Sequence, residues 1–109
     1  MKKSILSVLL FITSLPLLGQ IEVKYFNAAW NAANEIEWVE KLTDCDIEKY
    51  DIGTKPEDAG KYKVVVVPTI LIFQDGEEVE RYQADISFKM SATREEIQDK
   101  IDELIMSAF

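Results

Sequence analysis

The sequence of 109 residues contains no histidine and a single cysteine, Cys45. The absence of histidine excludes Ser-His-Asp triads, Cys-His pairs and histidine-ligated metal sites. One cysteine can neither form a disulfide within the chain nor complete a two-cysteine redox cycle. Basic residues are also few, because 12 Lys and Arg stand against 20 Asp and Glu, for a formal net charge of -8. This acid excess argues against partners such as nucleic acids and anionic membrane surfaces, which attract clustered cations.

Hydrophobic residues make up 48% of the chain and charged residues 29%, proportions typical of one folded domain. The start, Met1-Lys2-Lys3, is positive, and residues 5–18 are uncharged and mostly apolar. This order predicts a secretory signal peptide over residues 1–19, followed by a domain over residues 20–109. The apolar run is shorter than the roughly 20 residues of a membrane-spanning helix, although a retained N-terminal anchor is the alternative. We therefore expect a periplasmic or secreted protein without an integral membrane span after signal cleavage.

The spacing of apolar residues predicts the secondary structure of the domain. Asn31 can cap a helix over residues 32–42, which carries an inner stripe at helical spacing. Pro68 interrupts the most apolar stretch, because proline cannot donate to a sheet ladder, so a buried strand begins only at Thr69. The expected elements are a strand over 21–26, the helix over 32–42, a strand over 47–52, a short helix over 57–61, strands over 69–74 and 77–84, and a helix over 93–106.

The order of these elements predicts the topology. The first two strands flank a helix and should be parallel through a right-handed crossover. The Asp75-Gly76 turn makes the last two strands an antiparallel hairpin. Thr93 and Glu96 form a capping box at the start of the last helix, whose buried stripe runs from Ile97 to Ile105. The fold class is therefore α/β, a mixed four-stranded sheet in the order β-α-β-α-β-β-α, flanked by helices.

Two segments make the domain resemble the thioredoxin family over almost its whole length. Trp30 opens the first helix, in the place of the family's tryptophan just before its two cysteines. Val67-Pro68-Thr69, the apolar residues after it and the Asp75-Gly76 turn are similar to the family's stretch around its cis-proline. The resemblance implies a thioredoxin-like fold with a cis peptide bond before Pro68.

The sequence departs from the family at the residues that carry its chemistry. The family has Trp-Cys-Gly-Pro-Cys, whereas this chain has Trp30-Asn31-Ala32-Ala33-Asn34. Tyr25 stands where alignment through Trp30 places the family's buried acid. The family's first cysteine attacks as a thiolate and its second resolves the mixed disulfide, and an amide side chain can do neither. We therefore expect no dithiol oxidoreductase activity, no cofactor and no metal site.

Cys45 is not a substitute for the missing pair. Its neighbours Asp44 and Asp46 are acidic, which predicts a raised thiol pKa and a weak nucleophile. A structural role is the main interpretation, and an intermolecular disulfide or metal binding is the alternative. The acidic groups Asp44/Asp46 and Glu77/Glu78/Glu80 lack EF-hand spacing, so they are interpreted as solvated surface.

The resemblance places the candidate binding residues along one rim: Trp30, Asn31, Asn34, Val67, Pro68, Ile86, Phe88 and Met90. We expect backbone groups of Val67 to face a groove, where an extended segment could pair as an added strand. Aromatic and methionine side chains would anchor that segment. Structural roles are the alternative: Asn31 as a helix cap, Asn34 as a solvated residue, Trp30 as a cover for the helix end, and the loop over 84–91 as packing.

Three functional hypotheses follow. The primary one is a non-catalytic thioredoxin-like domain that binds an extended peptide or a protein partner in the cell envelope. The alternative is a thiol-disulfide oxidoreductase or redox-homeostasis protein that acts through Cys45 or through partner thiols. The third is a purely structural subunit with an empty groove. The missing cysteines favour the first hypothesis over the second, and the sequence does not separate the first from the third.

Overall fold

The computed structural model describes residues 20–109, so the predicted signal peptide over 1–19 lies outside the described residues. Four strands form one sheet: β1 (Ile21–Asn27), β2 (Asp46–Asp51), β3 (Thr69–Gln74) and β4 (Glu77–Gln83). Two α-helices, α1 (Pro56–Lys61) and α2 (Arg94–Ser107), follow β2 and β4. Two 3-10 helices, Ala29–Asn34 and Glu37–Lys41, connect β1 to β2.

The strands lie in the order β2-β1-β3-β4. β1 pairs in parallel with β2 and antiparallel with β3, so the mixed four-stranded sheet is confirmed. β3 and β4 form the predicted antiparallel hairpin. Asp75 and Gly76 at its turn have φ values of 52° and 85°, the left-handed conformation that a tight hairpin requires at both central residues.

Alternate residues of the central strands β1 and β3 bury opposite faces of the sheet, as the two-residue period of a strand dictates. The first face carries the larger core, which also receives residues from the segment after β1 and from α2: Ile21, Val23, Tyr25, Ile36, Val39, Leu42, Ile70, Ile72, Ile97 and Ile101. The second face is covered by α1 and the chain after it, through Phe26, Val64, Val67 and Leu71.

Lys24 is a buried cation on the second face of the sheet. Its ammonium lies 2.8 Å from the Glu48 carboxylate and between 5.3 and 5.8 Å from the ring centroids of Tyr50, Tyr62 and Phe73. Burial lowers the pKa of an ammonium group, but the hydrogen bond to Glu48 and the contacts with Tyr50 outweigh burial, so the pKa of Lys24 is raised. The permanent charge ties β1 to the edge strand β2.

The predicted helix over residues 32–42 is wrong. The two 3-10 helices replace it, and between them Glu35 and Ile36 are extended, with φ/ψ of -60°/137° and -98°/93°. Asn31 is not a helix cap, because it lies inside the first 3-10 helix with φ -111° and ψ 25°. Alanine and glutamate favour a helix here, but the Ile36 N–H donates to the Tyr25 hydroxyl at 2.9 Å instead of to a helical carbonyl.

The last helix agrees with its prediction at both its start and its buried stripe. Thr93 is the N-cap of α2, and its hydroxyl oxygen accepts from the Glu96 N–H at 3.1 Å. Ile97 and Ile101 are fully buried, whereas Leu104 and Ile105 are half-buried against the same core. No helix within residues 20–109 is both long enough and apolar enough to cross a membrane.

Candidate functional site

The candidate site lies at the end of the sheet where β1 stops and β3 begins. The first 3-10 helix follows β1, and the Val67–Pro68 peptide bond, which is cis as expected, immediately precedes β3. Asn31 joins the two elements, because its Nδ2 lies 3.4 Å from the Val67 carbonyl oxygen. The segment with the Asn-Ala-Ala-Asn motif, residues 31–34, therefore contacts the cis-proline loop.

A chain of hydrogen bonds links the two asparagines of that motif to the sheet. Asn34 Nδ2 donates to Asn31 Oδ1 at 2.9 Å, and Asn31 Nδ2 donates to Asn27 Oδ1 at 3.1 Å. Asn27 Nδ2 then donates to Glu35 Oε1 at 2.8 Å, and the same oxygen accepts from the Tyr25 hydroxyl at 2.9 Å. Among the described residues, no buried side-chain nitrogen or oxygen lacks a partner. The chain is therefore a satisfied internal network, which we call the asparagine network.

The two asparagines of the motif, Asn31 and Asn34, differ in burial. Asn31 is 5% exposed and uses its amide within the asparagine network, so it does not present polar atoms to a ligand. Asn34 is half-buried and lies at the outer end of the network. Asn31 is therefore part of a buried hydrogen-bond network and not the helix cap that the sequence predicted.

Tyr25 is the buried end of the asparagine network. Burial raises the pKa of its hydroxyl, and the hydrogen bond to the Glu35 carboxylate raises it further, against the opposing effect of the Ile36 N–H. The hydroxyl therefore stays protonated and serves as a fixed donor. In place of the acid that the family resemblance implies on β1, the site has a neutral phenol that orients a carboxylate from a later turn.

The carbonyl groups around the cis-proline already accept hydrogen bonds from the protein itself. The Val67 carbonyl accepts from Asn31, the Val66 carbonyl accepts from Thr69 Oγ1 at 2.6 Å, and the Pro68 carbonyl accepts from the Ala84 N–H at 3.0 Å. Val67 and Pro68 are themselves buried. The Val67 carbonyl therefore already has one internal donor, and an added strand would have to share this acceptor with Asn31.

Three of the predicted residues are exposed, and we call them the apolar patch: Trp30 and Phe88, which are in contact, and Ile86, two residues before Phe88 in the same loop. Trp30 is 64% exposed and Ile86 99% exposed. The rings of Trp30 and Phe88 meet edge to face, with centroids 5.4 Å apart and planes at 85°. This is a favourable aromatic geometry that keeps both side chains at the surface while fixing their mutual orientation.

The loop that presents the apolar patch is organised by one carboxylate. Asp85 Oδ1 accepts from the Ser87 N–H at 2.8 Å, from the Ser87 hydroxyl and from the Lys89 N–H at 3.2 Å. These hydrogen bonds, chiefly the one from the Ser87 hydroxyl, lower the pKa of Asp85. Phe88 has a φ of 64°, a conformation that is rare for a bulky residue and costs free energy. The loop therefore holds Phe88 in a strained conformation, against Trp30.

Met90 lies apart from the apolar patch. It packs against the core of the first face and lines a groove of about 450 Å³ with Trp38, Glu37 and Lys89. The groove adjoins the extended residues between the two 3-10 helices. Met90 therefore belongs to a neighbouring depression that the break in the predicted helix opens.

Several features of the site were not predicted from the sequence. The asparagine network includes Tyr25, Asn27 and Glu35, and the pairing of these residues depends on where the chain turns. Val65 is 84% exposed beside the cis-proline loop. The only available sequence signal was the tyrosine within an otherwise apolar strand, whose polar hydroxyl requires a partner when buried.

Cys45 directly precedes β2, and its thiol is a weak acid. It is half-buried against the core of the first face. Burial, followed by the charges of Asp46 and Asp44, raises the pKa of its thiol to about 11. The predicted direction is confirmed, although burial rather than the acidic neighbours is the main cause. Within residues 20–109, no group of three or more acidic, cysteine or histidine side chains is placed to hold a metal ion.

Comparison with known proteins identifies the architecture. No family model matches the chain. Thioredoxin of Mycobacterium tuberculosis is 43% identical over 42 residues, which cover 38% of this chain and 36% of that protein. Thioredoxin of Staphylococcus epidermidis is 36% identical over 55 residues, half of each protein. The chain thus spans between about a third and a half of the length of the curated relatives it matches.

A solved structure extends the similarity over most of the chain. A mutant thioredoxin from Halobacterium salinarum matches with a TM-score of 0.63 and 25% identity, covering 80% of this chain and 76% of that one. With the mixed four-stranded sheet, the helices and the cis-proline already described, this similarity gives the chain a thioredoxin-like fold.

Proposed function

On this thioredoxin-like fold, we propose a non-catalytic domain that binds a protein partner through the apolar patch. The observation that carries the proposal is the exposed Trp30–Phe88 pair, held edge to face by a strained loop. Strained residues persist where surrounding structure imposes them, and they concentrate at functional sites. Exposed aromatic side chains with fixed orientation are effective anchors, because they lose little conformational entropy on binding.

Recognition is proposed to rest on side chains rather than on strand addition. The carbonyls of Val66, Val67 and Pro68 already accept hydrogen bonds from Thr69, Asn31 and Ala84. An added strand would have to share these acceptors or displace the internal donors. A partner that places an apolar side chain on Trp30, Ile86 and Phe88 needs neither.

The alternative, thiol-disulfide exchange through Cys45, lacks support in the chemistry of that residue. The thiolate is the reactive form of cysteine, and a thiol pKa of about 11 leaves little thiolate near neutral pH. No second cysteine is present to resolve a mixed disulfide. Asn31 and Asn34, at the positions that the resemblance assigns to the cysteines, are engaged with each other. The proposal therefore has no enzymatic step.

The proposed setting is the periplasm or the extracellular space, because the charged start and apolar run of residues 1–19 have the order of a signal peptide. A domain in that oxidising setting usually gains stability from disulfides. This domain has a single cysteine and therefore relies on packing. Because the proposed setting is outside the cytoplasm, the proposed partner is a protein of the cell envelope.

Peptide display tests the binding proposal. The purified protein is used to select peptides, and the affinities of the selected peptides are measured by calorimetry with the parent protein and with Trp30→Ala and Phe88→Ala variants. Met106→Ala and Val79→Ala are the matched controls, because they remove exposed apolar side chains from α2 and β4. We expect each patch variant to weaken binding at least about tenfold, a loss of roughly 1.4 kcal/mol, while the controls bind like the parent. Equal weakening by patch variants and controls would show that binding is not located at the patch.

An insulin-reduction assay tests the absence of catalysis. With dithiothreitol as reductant, we expect the protein to precipitate insulin no faster than a serum-albumin blank. The Cys45→Ser variant is the control that assigns any residual activity. A clear rate above the blank that disappears in Cys45→Ser would replace the binding proposal by the oxidoreductase alternative.

A further inference from the structure

The break in the segment after β1 depends on which acceptor the Ile36 N–H selects. In an uninterrupted α-helix, this N–H would donate to the carbonyl four residues earlier, that of Ala32. Here the Ala32 carbonyl accepts from the Glu35 N–H at 3.1 Å, the pattern of a 3-10 turn. The Ile36 N–H donates to the Tyr25 hydroxyl at 2.9 Å. The tyrosine thus takes the place of a helical acceptor.

The same hydroxyl also fixes the residue before the break. It donates to Glu35 Oε1 at 2.9 Å, and Asn27 Nδ2 donates to that oxygen at 2.8 Å. Tyr25 is 2% exposed and belongs to the core of the first face, so its ring cannot follow a movement of the turn. One rigid phenol therefore holds Glu35 through its carboxylate and Ile36 through its backbone.

We propose that Tyr25 is the positioning residue of the apolar patch. Its hydroxyl keeps residues 35 and 36 extended, so the first 3-10 helix remains a separate turn that presents Trp30 to Phe88. This inference rests on the proposed function, because it assigns a role in binding to a buried residue. The two extended residues at the break, Glu35 and Ile36, also line the groove that contains Trp38 and Met90.

The amino-acid composition of this segment favours a competing conformation, a continuous α-helix. Residues 29–41 include three alanines and three glutamates, which favour an α-helix. Removing the Tyr25 hydroxyl leaves the Ile36 N–H and the Glu35 carboxylate without their buried partner. The Ile36 N–H can then return to the Ala32 carbonyl, which joins the two 3-10 helices into one. Trp30 would turn with the new helix and lose its orientation towards Phe88.

Tyr25→Phe tests this positioning role, because it removes only the hydroxyl and keeps the ring in the core. Tyr82→Phe is the matched control. Tyr82 packs against the same core, and burial and nearby carboxylates, not a hydrogen bond, act on its hydroxyl. Backbone NMR shifts and amide exchange locate the helix boundaries without any partner. We expect Tyr25→Phe to change the shifts of residues 29–41 towards continuous helix and to change Ile36 amide exchange at least about fivefold, while Tyr82→Phe leaves both unchanged.

Two further readouts connect the hydroxyl to the patch. In a Trp38→Phe background, fluorescence quenching by acrylamide reports on Trp30 alone, and we expect it to change in Tyr25→Phe but not in Tyr82→Phe. Glu35→Gln retains an acceptor for Tyr25, whereas Glu35→Leu removes it. We therefore expect Glu35→Gln to retain both the parent NMR pattern and the affinity for a display-selected peptide, and Glu35→Leu to resemble Tyr25→Phe with at least about fivefold weaker binding.

The outcomes separate this inference from the proposed function. Unchanged helix boundaries and unchanged Ile36 exchange in Tyr25→Phe would overturn the positioning role, whatever the peptide affinity. A shifted segment with undiminished peptide affinity would also overturn it, because the patch would then work without the break. Failure of every peptide to bind the parent protein would overturn the proposed function, and with it the binding role of Tyr25, while the NMR result would still decide what holds the break.

Discussion

At the scale of single residues, the two asparagines of the segment after β1 have a structural role. Asn31 and Asn34 hydrogen-bond to each other, and Asn31 reaches the Val67 carbonyl. Amides can both donate and accept, so they extend a buried network where thiols would pair only weakly. The side chains of Asn31 and Asn34 are therefore engaged in structural hydrogen bonds, whereas the neighbouring Trp30 is exposed.

Alanine substitutions of Trp30 and Phe26 are expected to change the free energy of unfolding by very different amounts. Trp30 is 64% exposed, so Trp30→Ala should change this free energy by no more than about 0.5 kcal/mol. Phe26 is fully buried on the second face, so Phe26→Ala should cost about 3–5 kcal/mol. Urea denaturation of both variants measures the difference. A loss of several kcal/mol in Trp30→Ala would place Trp30 in the core and remove the centre of the apolar patch.

The thiol of Cys45 should react slowly in the native protein. Its pKa is raised from 9.0 to about 11, so the thiolate fraction at a given pH below 9 is roughly a hundredfold lower than in the unfolded chain. Iodoacetamide labelling followed by mass spectrometry should therefore be slow in buffer and fast in urea. The native rate should still rise with pH at pH 9 to 10, because the folded pKa lies above that range. Equal rates in buffer and in urea would contradict the burial of this thiol.

At the scale of elements, two short segments depart from regular structure, and each is fixed by one polar side chain. Tyr25 holds the break between the 3-10 helices, and Asp85 holds the loop before α2. The Asp75-Gly76 hairpin and the cap at Thr93 agree with their sequence patterns. Local hydrogen bonds from a polar side chain can compete with regular structure, and both irregular segments lie next to the apolar patch.

The loop carrying Phe88 should loosen when the Asp85 carboxylate is lost. The folded pKa of Asp85 is lowered, so its contribution to the loop is present above its unfolded pKa of about 3.9 and disappears as the pH falls through the lower folded value. Asp85→Ala should produce the loose loop at neutral pH, with faster amide exchange at Ser87 and Lys89. Asp44→Ala is the control, since it removes an exposed acid far along the chain. Unchanged exchange in Asp85→Ala would show that backbone contacts alone hold the loop.

At the scale of the whole molecule, the acid excess and the lone cysteine have consequences for stability. A net charge of -8 favours solubility but adds repulsion to the folded state. Cohesion comes from two cores on opposite faces of one sheet, together with the buried ion Lys24. No covalent link supplements this packing within the chain, because a single cysteine cannot provide one.

Reducing agent should therefore leave the melting temperature unchanged. The measurement is a thermal melt with and without dithiothreitol, repeated with Cys45→Ser, and the two proteins should give the same result. A decrease of several degrees with reductant in the parent protein only, equivalent to roughly 1 kcal/mol in a domain of this size, would indicate a stabilising intermolecular disulfide at Cys45. Gel filtration without reductant would then show a dimer.

The sequence by itself determined the strands, the hairpin and the cap of α2, because alternation, turn residues and capping residues act locally. The cis peptide bond before Pro68 followed from the resemblance of the Val67-Pro68-Thr69 stretch to a known family pattern. Residues 21–26 and 69–74 were predicted as strands, and the sheet confirms both. For Trp30 and Phe88 the resemblance left two interpretations open, an exposed binding surface or a packing role, and the sequence did not decide between them.

The tertiary structure alone decided the shape of the segment after β1 and the partners of its polar residues. Helix propensity over residues 32–42 is a sum of small local terms, whereas the Tyr25 hydroxyl, on a strand eleven residues before Ile36, offers the Ile36 N–H one buried hydrogen bond. Leaving that hydroxyl unpaired would cost about 1–3 kcal/mol, enough to outweigh local preference. Its position depends on how β1 is buried between β2 and β3, and no local pattern in the sequence carries that information.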